Sequence, residues 1–167
     1  MKITNTNTKW FSALAALLIS ATLVTAGTPK KGDKFPDLSS FGLEGNVPKL
    51  DGKVVLVDFF ASWCGPCQES FPAMEKLQKE YAAKGLVIVA INLDKKEADM
   101  KQFLKEHPAT FTILRDASYK LVNDVKIPTM PSSFLLDRSG KVFAVHHGFN
   151  GNATAKEYTE EIDALLK

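Results

Sequence analysis

Residues 54–67 read VVLVDFFASWCGPC, and this stretch decides the fold. Its first part is apolar apart from Asp58, and such a run between turn signals is typical of a strand buried on both faces of a parallel or mixed sheet. Two cysteines, Cys64 and Cys67, follow close behind, and Phe71 and later apolar residues then recur at helical spacing. The cysteine pair is therefore predicted to lie where a buried strand passes into a helix.

The cysteine pair has the arrangement of a reactive dithiol. Cys64 is expected at the N-terminus of the helix, where unpaired N–H groups and the helix dipole favour the thiolate. Cys67 lies one turn further along and is placed to attack a mixed disulfide formed on Cys64. A purely structural disulfide is the alternative, but it would close a loop of only a few residues and add little stability. A zinc half-site would need His107, His146 or His147, because no second cysteine pair exists.

Strand and helix patterns alternate along the rest of the chain. Residues 28–53 are rich in Gly, Pro, Lys and Asp and predict short strands joined by turns. Strands are predicted at 54–60, 86–93 and 111–114 and in a hairpin at 132–136 and 141–146, with helices after the cysteines, after residue 94, over 117–125 and at the C-terminus. This order indicates an α/β fold in which helices cover a mixed sheet.

Polar residues predict where three of these helices begin. Asp94 with Glu97, and Thr154 with Glu157, have the spacing of capping boxes. Asp116 is the expected N-cap of the helix over 117–125. Each helix is therefore expected to start directly after its capping residue.

The composition fits one domain and excludes several classes of protein. With 167 residues, 45% of them apolar and 24% charged, the chain has enough apolar residues for one packed core. The 21 basic and 19 acidic residues are too balanced to indicate a nucleic-acid-binding protein. Two cysteines exclude a scaffold with several disulfides and a four-cysteine zinc site.

The N-terminus has the pattern of a secretory signal peptide. Two lysines precede an apolar stretch at 10–24, and small residues follow up to Ala26. We predict a signal peptide at 1–26 and an exported domain at 27–167, in a compartment where disulfides persist. An uncleaved N-terminal membrane anchor is the alternative, although a helix over the apolar stretch would reach only about 22 Å of the roughly 30 Å hydrocarbon core.

The cysteine stretch and two flanking segments carry a family resemblance. Residues 55–67 resemble the active-site segment of thioredoxin. GDKFPD at 32–37 and PSSFLLDRSGK at 131–141 are similar to segments of the exported TlpA/ResA-type thiol-disulfide reductases, and the similarity extends over residues 32–167. The resemblance implies a thioredoxin fold of the α/β class, in which helices flank a mixed central β-sheet, with an N-terminal β extension and a helix-strand insertion.

Asp58 is the candidate for proton transfer. It interrupts an apolar strand, and a buried carboxylate without a partner is expected to have a raised pKa. The resemblance places this Asp beneath the cysteines and assigns it proton transfer to the buried thiol; the alternative is an Asp satisfied by a lysine or water, with no kinetic role. TlpA/ResA-type proteins commonly have a Glu where this chain has Ser70. Glu69 is one residue away, a rotation of about 100° on a helix, and is expected to face solvent.

The resemblance also implies a substrate groove beside the cysteines. Pro131 matches the family's cis-proline, which presents the backbone of the preceding residue to the substrate, and Pro128 is the competing assignment. The expected groove residues are Trp63, Gly65, Pro66, Met130 and Pro131.

These features predict a periplasmic thiol-disulfide oxidoreductase that reduces protein disulfides through Cys64 and Cys67. The Gly-Pro dipeptide between the cysteines resembles that of reducing thioredoxins. The resemblance further implies a membrane thiol transporter of the DsbD/CcdA type as electron donor, and cytochrome c maturation, with apocytochrome c as a client. No cofactor and no resident metal are expected.

Two other functions remain open from the sequence. A disulfide oxidase or isomerase would use the same fold and the same cysteines in the opposite direction. A copper-binding chaperone would use Cys64, Cys67 and a histidine, although Sco-like relatives have a longer cysteine spacing. Of the adjacent His146 and His147, strand alternation predicts that one points outward.

Overall fold

A computed structural model describes residues 27–167, which form five strands and four α-helices. The strands are β1 (Val54–Phe60), β2 (Leu86–Asn92), β3 (Thr112–Arg115), β4 (Ser132–Leu136) and β5 (Val142–His147), and the α-helices are α1 (Gly65–Tyr81), α2 (Glu97–Glu106), α3 (Lys120–Val125) and α4 (Gly151–Leu166). Short 3-10 helices occupy Leu38–Phe41 and Ala82–Lys84. The predicted signal peptide lies outside the described residues, and its boundary stays a prediction.

The strands form one mixed sheet in the order β3-β2-β1-β4-β5. β2 runs parallel to both β1 and β3, whereas β4 is antiparallel to β1 and β5 is antiparallel to β4. Every residue of β1 is buried, which explains why its sequence is nearly continuously apolar. The predicted α/β fold with a thioredoxin-like mixed sheet is confirmed.

Side chains of β1 alternate between two cores on opposite faces of the sheet. Leu56 and Phe60 belong to the core formed with α1, α2 and α4, where the Phe60 ring lies 4.8 Å from that of Phe71. Val57 and Phe59 belong to the second core, which α3 and the N-terminal segment cover. Asp58 has the same parity as Leu56 and Phe60, so its side chain points toward the α1 and α4 side.

The N-terminal extension pairs with the sheet at isolated points. Lys34 forms a single β-bridge with Lys141, and Glu44 forms one with Arg115. Arg115 Nε also donates to Glu44 Oε2 at 2.8 Å. The short strands predicted for residues 28–53 are thus reduced to two bridges and a 3-10 turn. The pairing at Glu44 covers part of the free edge of β3, which is one of the two outer strands of the sheet.

All three helix starts predicted from capping residues are wrong. α2 has Lys96 as its N-cap and not Asp94, and the other two cases are α4 and α3. α4 begins at Gly151, so Thr154 lies within its first turns, and Thr154 Oγ1 accepts from the Asn150 N–H at 3.0 Å. α3 begins at Lys120, four residues after Asp116, although Asp116 Oδ2 still accepts from the Val122 N–H at 2.9 Å. Both side chains satisfy backbone groups near a helix start, but from different positions than the capping patterns predict. Within residues 27–167, no helix combines the length and hydrophobicity needed to cross a bilayer.

Candidate active site

The two cysteines form a disulfide at the start of α1, so the structure represents the oxidised protein. Cys64 is the N-cap residue, and its carbonyl accepts from the Cys67 N–H at 3.1 Å. Pro66 lies in the first turn of α1, where backbone N–H groups have no partner within the helix. The N–H that proline lacks therefore costs the helix no hydrogen bond. Cys64 retains 5% exposure, whereas Cys67 has none. Cys64 is therefore the more exposed of the two cysteines, and Cys67 lies fully buried one turn further along α1.

Asp94 holds the turn that leads from β1 into the cysteine pair. Both carboxylate oxygens accept from the Ser62 N–H at 3.1 Å, and Oδ1 also accepts from Ser62 Oγ at 2.9 Å. The Asn92 amide donates to Oδ2 at 2.7 Å. The sequence-based assignment of Asp94 and Glu97 as a helix-capping pair is wrong, because the N-cap of α2 is Lys96 and Asp94 faces β1 instead.

The role of Asp94 was detectable in principle from the strand pattern. β1 and β2 are parallel neighbours, so residues that follow their carboxyl ends meet at one edge of the sheet. Ser62 and Asp94 each lie two residues beyond the end of such a strand. A polar residue after the second strand was therefore a candidate partner for the turn after the first.

We expect Asp94→Ala to lower the free energy of unfolding by about 2 kcal/mol, because the Ser62 N–H and the Asn92 amide lose a buried acceptor. The turn that positions Cys64 would loosen, and the rate of disulfide exchange should fall by about tenfold. Urea unfolding and a stopped-flow exchange assay measure the two effects. Asp94→Asn keeps one acceptor oxygen and should lose less of both. Wild-type behaviour in Asp94→Ala would contradict the positioning role.

Asp58 is fully buried, and burial raises its pKa well above the usual range. In the part of the chain that the structure describes, neither carboxylate oxygen has a hydrogen-bond partner. No described lysine satisfies it, in contrast to the alternative considered from the sequence. An acid of this kind is protonated at a higher pH than an exposed Asp, which suits exchange of a proton with a thiol. Its assignment to proton transfer stays a prediction.

The position one turn beyond Cys67 holds Ser70 and not an acid. Ser70 is fully buried and its hydroxyl donates to the Cys67 carbonyl at 2.9 Å. Glu69 is exposed, as its helical position predicts. Asp58 is therefore the buried carboxyl group on the α1 side of β1.

An apolar groove of about 580 Å³ lies beside Cys64. Its lining residues are Trp63, Cys64, Gly65, Pro66, Leu93, Val122, Ile127, Pro128, Thr129 and Met130. Trp63 is 70% exposed and forms an apolar wall. The Met130–Pro131 peptide is cis, so the cis-proline expected from the family resemblance is Pro131 and not Pro128. Pro131 itself is buried, and Met130 contributes the groove surface.

Part of the groove is missing from the sequence-based prediction. Leu93, Val122 and the segment 127–129 line it, and they come from the end of β2, from α3 and from the loop before β4. The topology brings these three regions to the same edge of the sheet. Their nearness to Pro131 in sequence was the available signal for residues 127–129, whereas Val122 had none.

The adjacent histidines point in different directions, as strand alternation predicts. His147 is exposed, while His146 has only 10% of its side chain exposed and lies 2.8 Å from Glu161 Oε2 and 3.4 Å from Glu157 Oε2. His147 Nδ1 lies 3.2 Å from Ser132 Oγ. Across residues 27–167, no group of three or more His, Cys, Asp or Glu side chains is arranged to hold a metal ion.

The disulfide at the start of α1 and the cis-proline loop before β4 face one groove at the end of a thioredoxin-like sheet. These features define a thioredoxin-fold thiol-disulfide oxidoreductase, and the protein is an enzyme of this class. The chain belongs to the redoxin family, whose sequence model matches residues 30–162.

Individual relatives agree with this assignment. The chain is 38% identical over 141 residues to the thioredoxin-like protein YneN of Bacillus subtilis, covering 80% of this chain and 79% of that one. It is 30% identical over 134 residues to the thiol-disulfide oxidoreductase ResA of Bacillus thuringiensis, covering 78% of each chain. A crystal structure described as the thiol:disulfide interchange protein DsbE of Chlorobium tepidum has a TM-score of 0.74 and 40% identity, covering 84% of this chain and all of that one.

Proposed function

We propose that this enzyme works in the reducing direction, and that it cleaves disulfides in exported proteins of the periplasm. One observation supports the direction: among residues 27–167, those that line the groove beside Cys64 are apolar or uncharged. Lys95 and Lys96 line a separate pocket that adjoins the groove at Trp63, Leu93 and Met130. A strongly oxidising pair owes its potential to a stabilised reduced form, in which cationic neighbours hold the thiolate. Here the N-terminus of α1 stabilises the Cys64 thiolate. Because this stabilisation is moderate, it favours a reducing pair.

The reductive cycle uses both cysteines and Asp58. The Cys64 thiolate attacks a substrate sulfur, the substrate disulfide breaks, and the first substrate thiolate leaves and takes a proton from water. The Asp58 carboxylate takes the Cys67 proton, and the Cys67 thiolate attacks the Cys64 sulfur of the mixed disulfide. The second substrate thiolate leaves and takes a proton from water, and the Cys64–Cys67 disulfide remains. Asp58 keeps the proton until the disulfide is reduced again, when it returns the proton to Cys67. Two electrons have passed from the dithiol to the substrate.

A reductase in an oxidising compartment needs a supply of electrons. We assign this role to a membrane thiol transporter of the DsbD/CcdA type, and we assign apocytochrome c, in cytochrome c maturation, as a client. The TlpA/ResA resemblance of segments 32–37 and 131–141 supports both assignments. The signal-peptide pattern at 1–26 supports export to the periplasm. The apolar groove suits an extended peptide strand next to the reacting disulfide.

The reduction potential of the Cys64–Cys67 pair tests the direction. The protein is equilibrated with a dithiol buffer, and thiol alkylation followed by mass spectrometry gives the reduced fraction. We expect a potential of about −270 mV, the value of thioredoxin. A value in the glutaredoxin range of about −200 to −230 mV or lower also supports a reductase. A potential near that of DsbA, about −120 mV, would indicate the oxidase instead. Stoichiometric copper binding by the reduced protein at low concentration would favour the copper chaperone.

A further inference from the structure

A row of side chains crosses the sheet beside Asp58. In the strand register, Asp58 is paired with Ala90 of β2 on one side and with Ser133 of β4 on the other, and Ser133 is paired with His146 of β5. Paired residues in neighbouring strands point to the same face, with Cβ atoms about 5 Å apart. This face is the one covered by α1 and α4, and Tyr158 of α4 packs on it. Asp58 therefore has a hydroxyl group as its direct neighbour.

Ser133 and Tyr158 are joined to each other and buried with Asp58. Ser133 Oγ and Tyr158 Oη are 2.7 Å apart, and either atom can act as the donor. A serine hydroxyl has one proton and two acceptor lone pairs, so when the Tyr158 phenol donates to Ser133, the Ser133 proton is not used by that bond and is available to a carboxylate oxygen that moves within reach. Burial first, and then the charge of Asp58, raise the pKa of Tyr158, which keeps the phenol protonated and able to donate.

The proposed reaction requires an ionised Asp58 in a buried position. In the oxidised structure the Asp58 oxygens have no partner among the described residues, which favours the protonated acid. To accept the Cys67 proton, Asp58 must first be ionised, and a buried carboxylate is stabilised when a neighbour donates a hydrogen bond to it. Ser133 is the hydroxyl paired with it in the sheet, and Tyr158 is the donor behind Ser133.

We infer that Ser133 and Tyr158 are positioning residues: once Asp58 is ionised in the reduced enzyme, its carboxylate turns to the neighbouring Ser133 hydroxyl, and Tyr158 donates to Ser133 while Ser133 donates to Asp58. This series holds the Asp58 carboxylate ready to take the proton of Cys67. The inference rests on the proposed role of Asp58 as the proton acceptor. In the step itself the proton passes from Cys67 Sγ to an Asp58 oxygen, and no proton leaves Ser133 or Tyr158. The two hydroxyls orient their hydrogens and are unchanged at the end of the cycle.

Few other ionisable groups lie on the elements that cover this face near Asp58. α1 contributes Cys67, α4 contributes Tyr158, and β2 contributes the apolar Ala90. On the far side of Tyr158, the His146 ring packs edge-on at 4.8 Å and has two carboxylate neighbours, Glu161 at 2.8 Å and Glu157 at 3.4 Å. In addition to burial, both carboxylates raise the pKa of Tyr158. His146 is joined to Glu161 and not to the Tyr158 hydroxyl, so Tyr158 remains available to Ser133.

The test follows the second step of exchange with a nitroaryl disulfide, whose thiolate product is coloured. The reduced protein releases one product when Cys64 attacks and a second when Cys67 completes the internal disulfide. The rate of the second step should rise with pH as Asp58 ionises. We expect Tyr158→Phe and Ser133→Ala each to move the midpoint of this rise upward by about one pH unit, since a hydrogen bond to a charged group changes a proton equilibrium by about tenfold. The shift in Ser133→Ala should be at least as large, because Ser133 is the direct donor.

Tyr81→Phe is the matched control. Tyr81 is buried in the same core but lies at the far end of α1, and its phenol is close to Asp163. Its removal should leave the pH midpoint of the second step unchanged. Urea unfolding of all variants shows whether they are folded, and Ser133→Ala keeps the test open should Tyr158→Phe fold poorly. In an Asp58→Asn background, Tyr158→Phe and Ser133→Ala should have no further effect on the second step.

The outcomes separate this inference from the proposed function. Wild-type pH midpoints in Tyr158→Phe and Ser133→Ala, together with a lost pH dependence in Asp58→Asn, would overturn the inference and leave Asp58 as the proton acceptor. A shift in Tyr158→Phe without one in Ser133→Ala would also overturn it, because the series order would be wrong. An unchanged profile in Asp58→Asn would remove both the proton role of Asp58 and the inference that depends on it.

Discussion

Replacement of Cys64 by serine is expected to lower the rate of insulin disulfide reduction by a factor on the order of 10³ or more, to the level of the assay without enzyme. Cys64 is the sulfur that borders the groove, whereas Cys67 is fully buried behind it. A serine hydroxyl does not exchange with a disulfide, and the substrate has no route to Cys67. Turbidity from the released insulin chain, with a dithiol as electron source, measures the loss.

The complementary variant, Cys67→Ser, separates attack from resolution. Cys64 remains able to form a mixed disulfide, but the buried serine does not release it, so a covalent complex with the substrate should accumulate. Non-reducing electrophoresis and intact-mass analysis detect that complex, and a double variant lacking both sulfurs is the control that forms none. Full insulin reduction by Cys64→Ser would refute the mechanism, as would a stable complex formed through Cys67 alone.

Asp58→Asn is expected to stabilise the oxidised protein, and the gain should grow with pH. The folded-state pKa of Asp58 is raised, so well below about pH 4 the group is protonated in both folded and unfolded chains, and its ionisation contributes nothing to the stability difference. As the pH rises above that value the unfolded chain loses its proton more readily than the folded one, and stability falls until the folded-state pKa is passed. At pH 8 we expect Asp58→Asn to have a free energy of unfolding higher than that of the wild type by about 2 kcal/mol or more.

Urea unfolding across the range from about pH 4 to pH 9 checks this prediction. Asp137→Asn is a control of opposite sign. Hydrogen bonds from the Ser139 side chain and from the backbone of Ser139 and Lys141 hold the pKa of Asp137 below its usual range. That stabilisation is present above the unfolded-state pKa and is lost on acidification, so removing the charge should lower stability at neutral pH. A stability difference for Asp58→Asn that does not vary with pH would contradict the burial of an ionisable group.

The centre of the fold and the reactive pair were predictable from the sequence because local patterns encode them. β1 is the middle strand of the sheet and buries both faces, so its apolar run has few other interpretations. The two cysteines follow directly, at a strand-to-helix junction whose position is fixed by that run. Asp58 stands out in the same stretch because a carboxylate is costly to bury.

The features that sequence patterns missed depend on neighbours distant in the chain. Asp94 fits a capping pattern locally, but the parallel pairing of β1 and β2 brings it to Ser62, which offers two donors, its backbone N–H and its hydroxyl. Val122 enters the groove through the placement of α3, and no periodicity of that short helix indicates it. Ser133 and Tyr158 meet only because α4 packs across β4. Each contact follows from tertiary topology, which local spacing does not record.

The exposed indole beside the disulfide also gives the enzyme an internal optical reporter. Trp10 and Trp63 are the two tryptophans of the chain, and Trp10 falls within the predicted signal peptide. In the span 27–167 all tryptophan emission therefore originates one residue from Cys64. Because Trp63 and Cys64 line the same groove, we expect oxidation, reduction and the binding of a client to change the surroundings of this indole. The intrinsic fluorescence of the unlabelled protein should report each of these events.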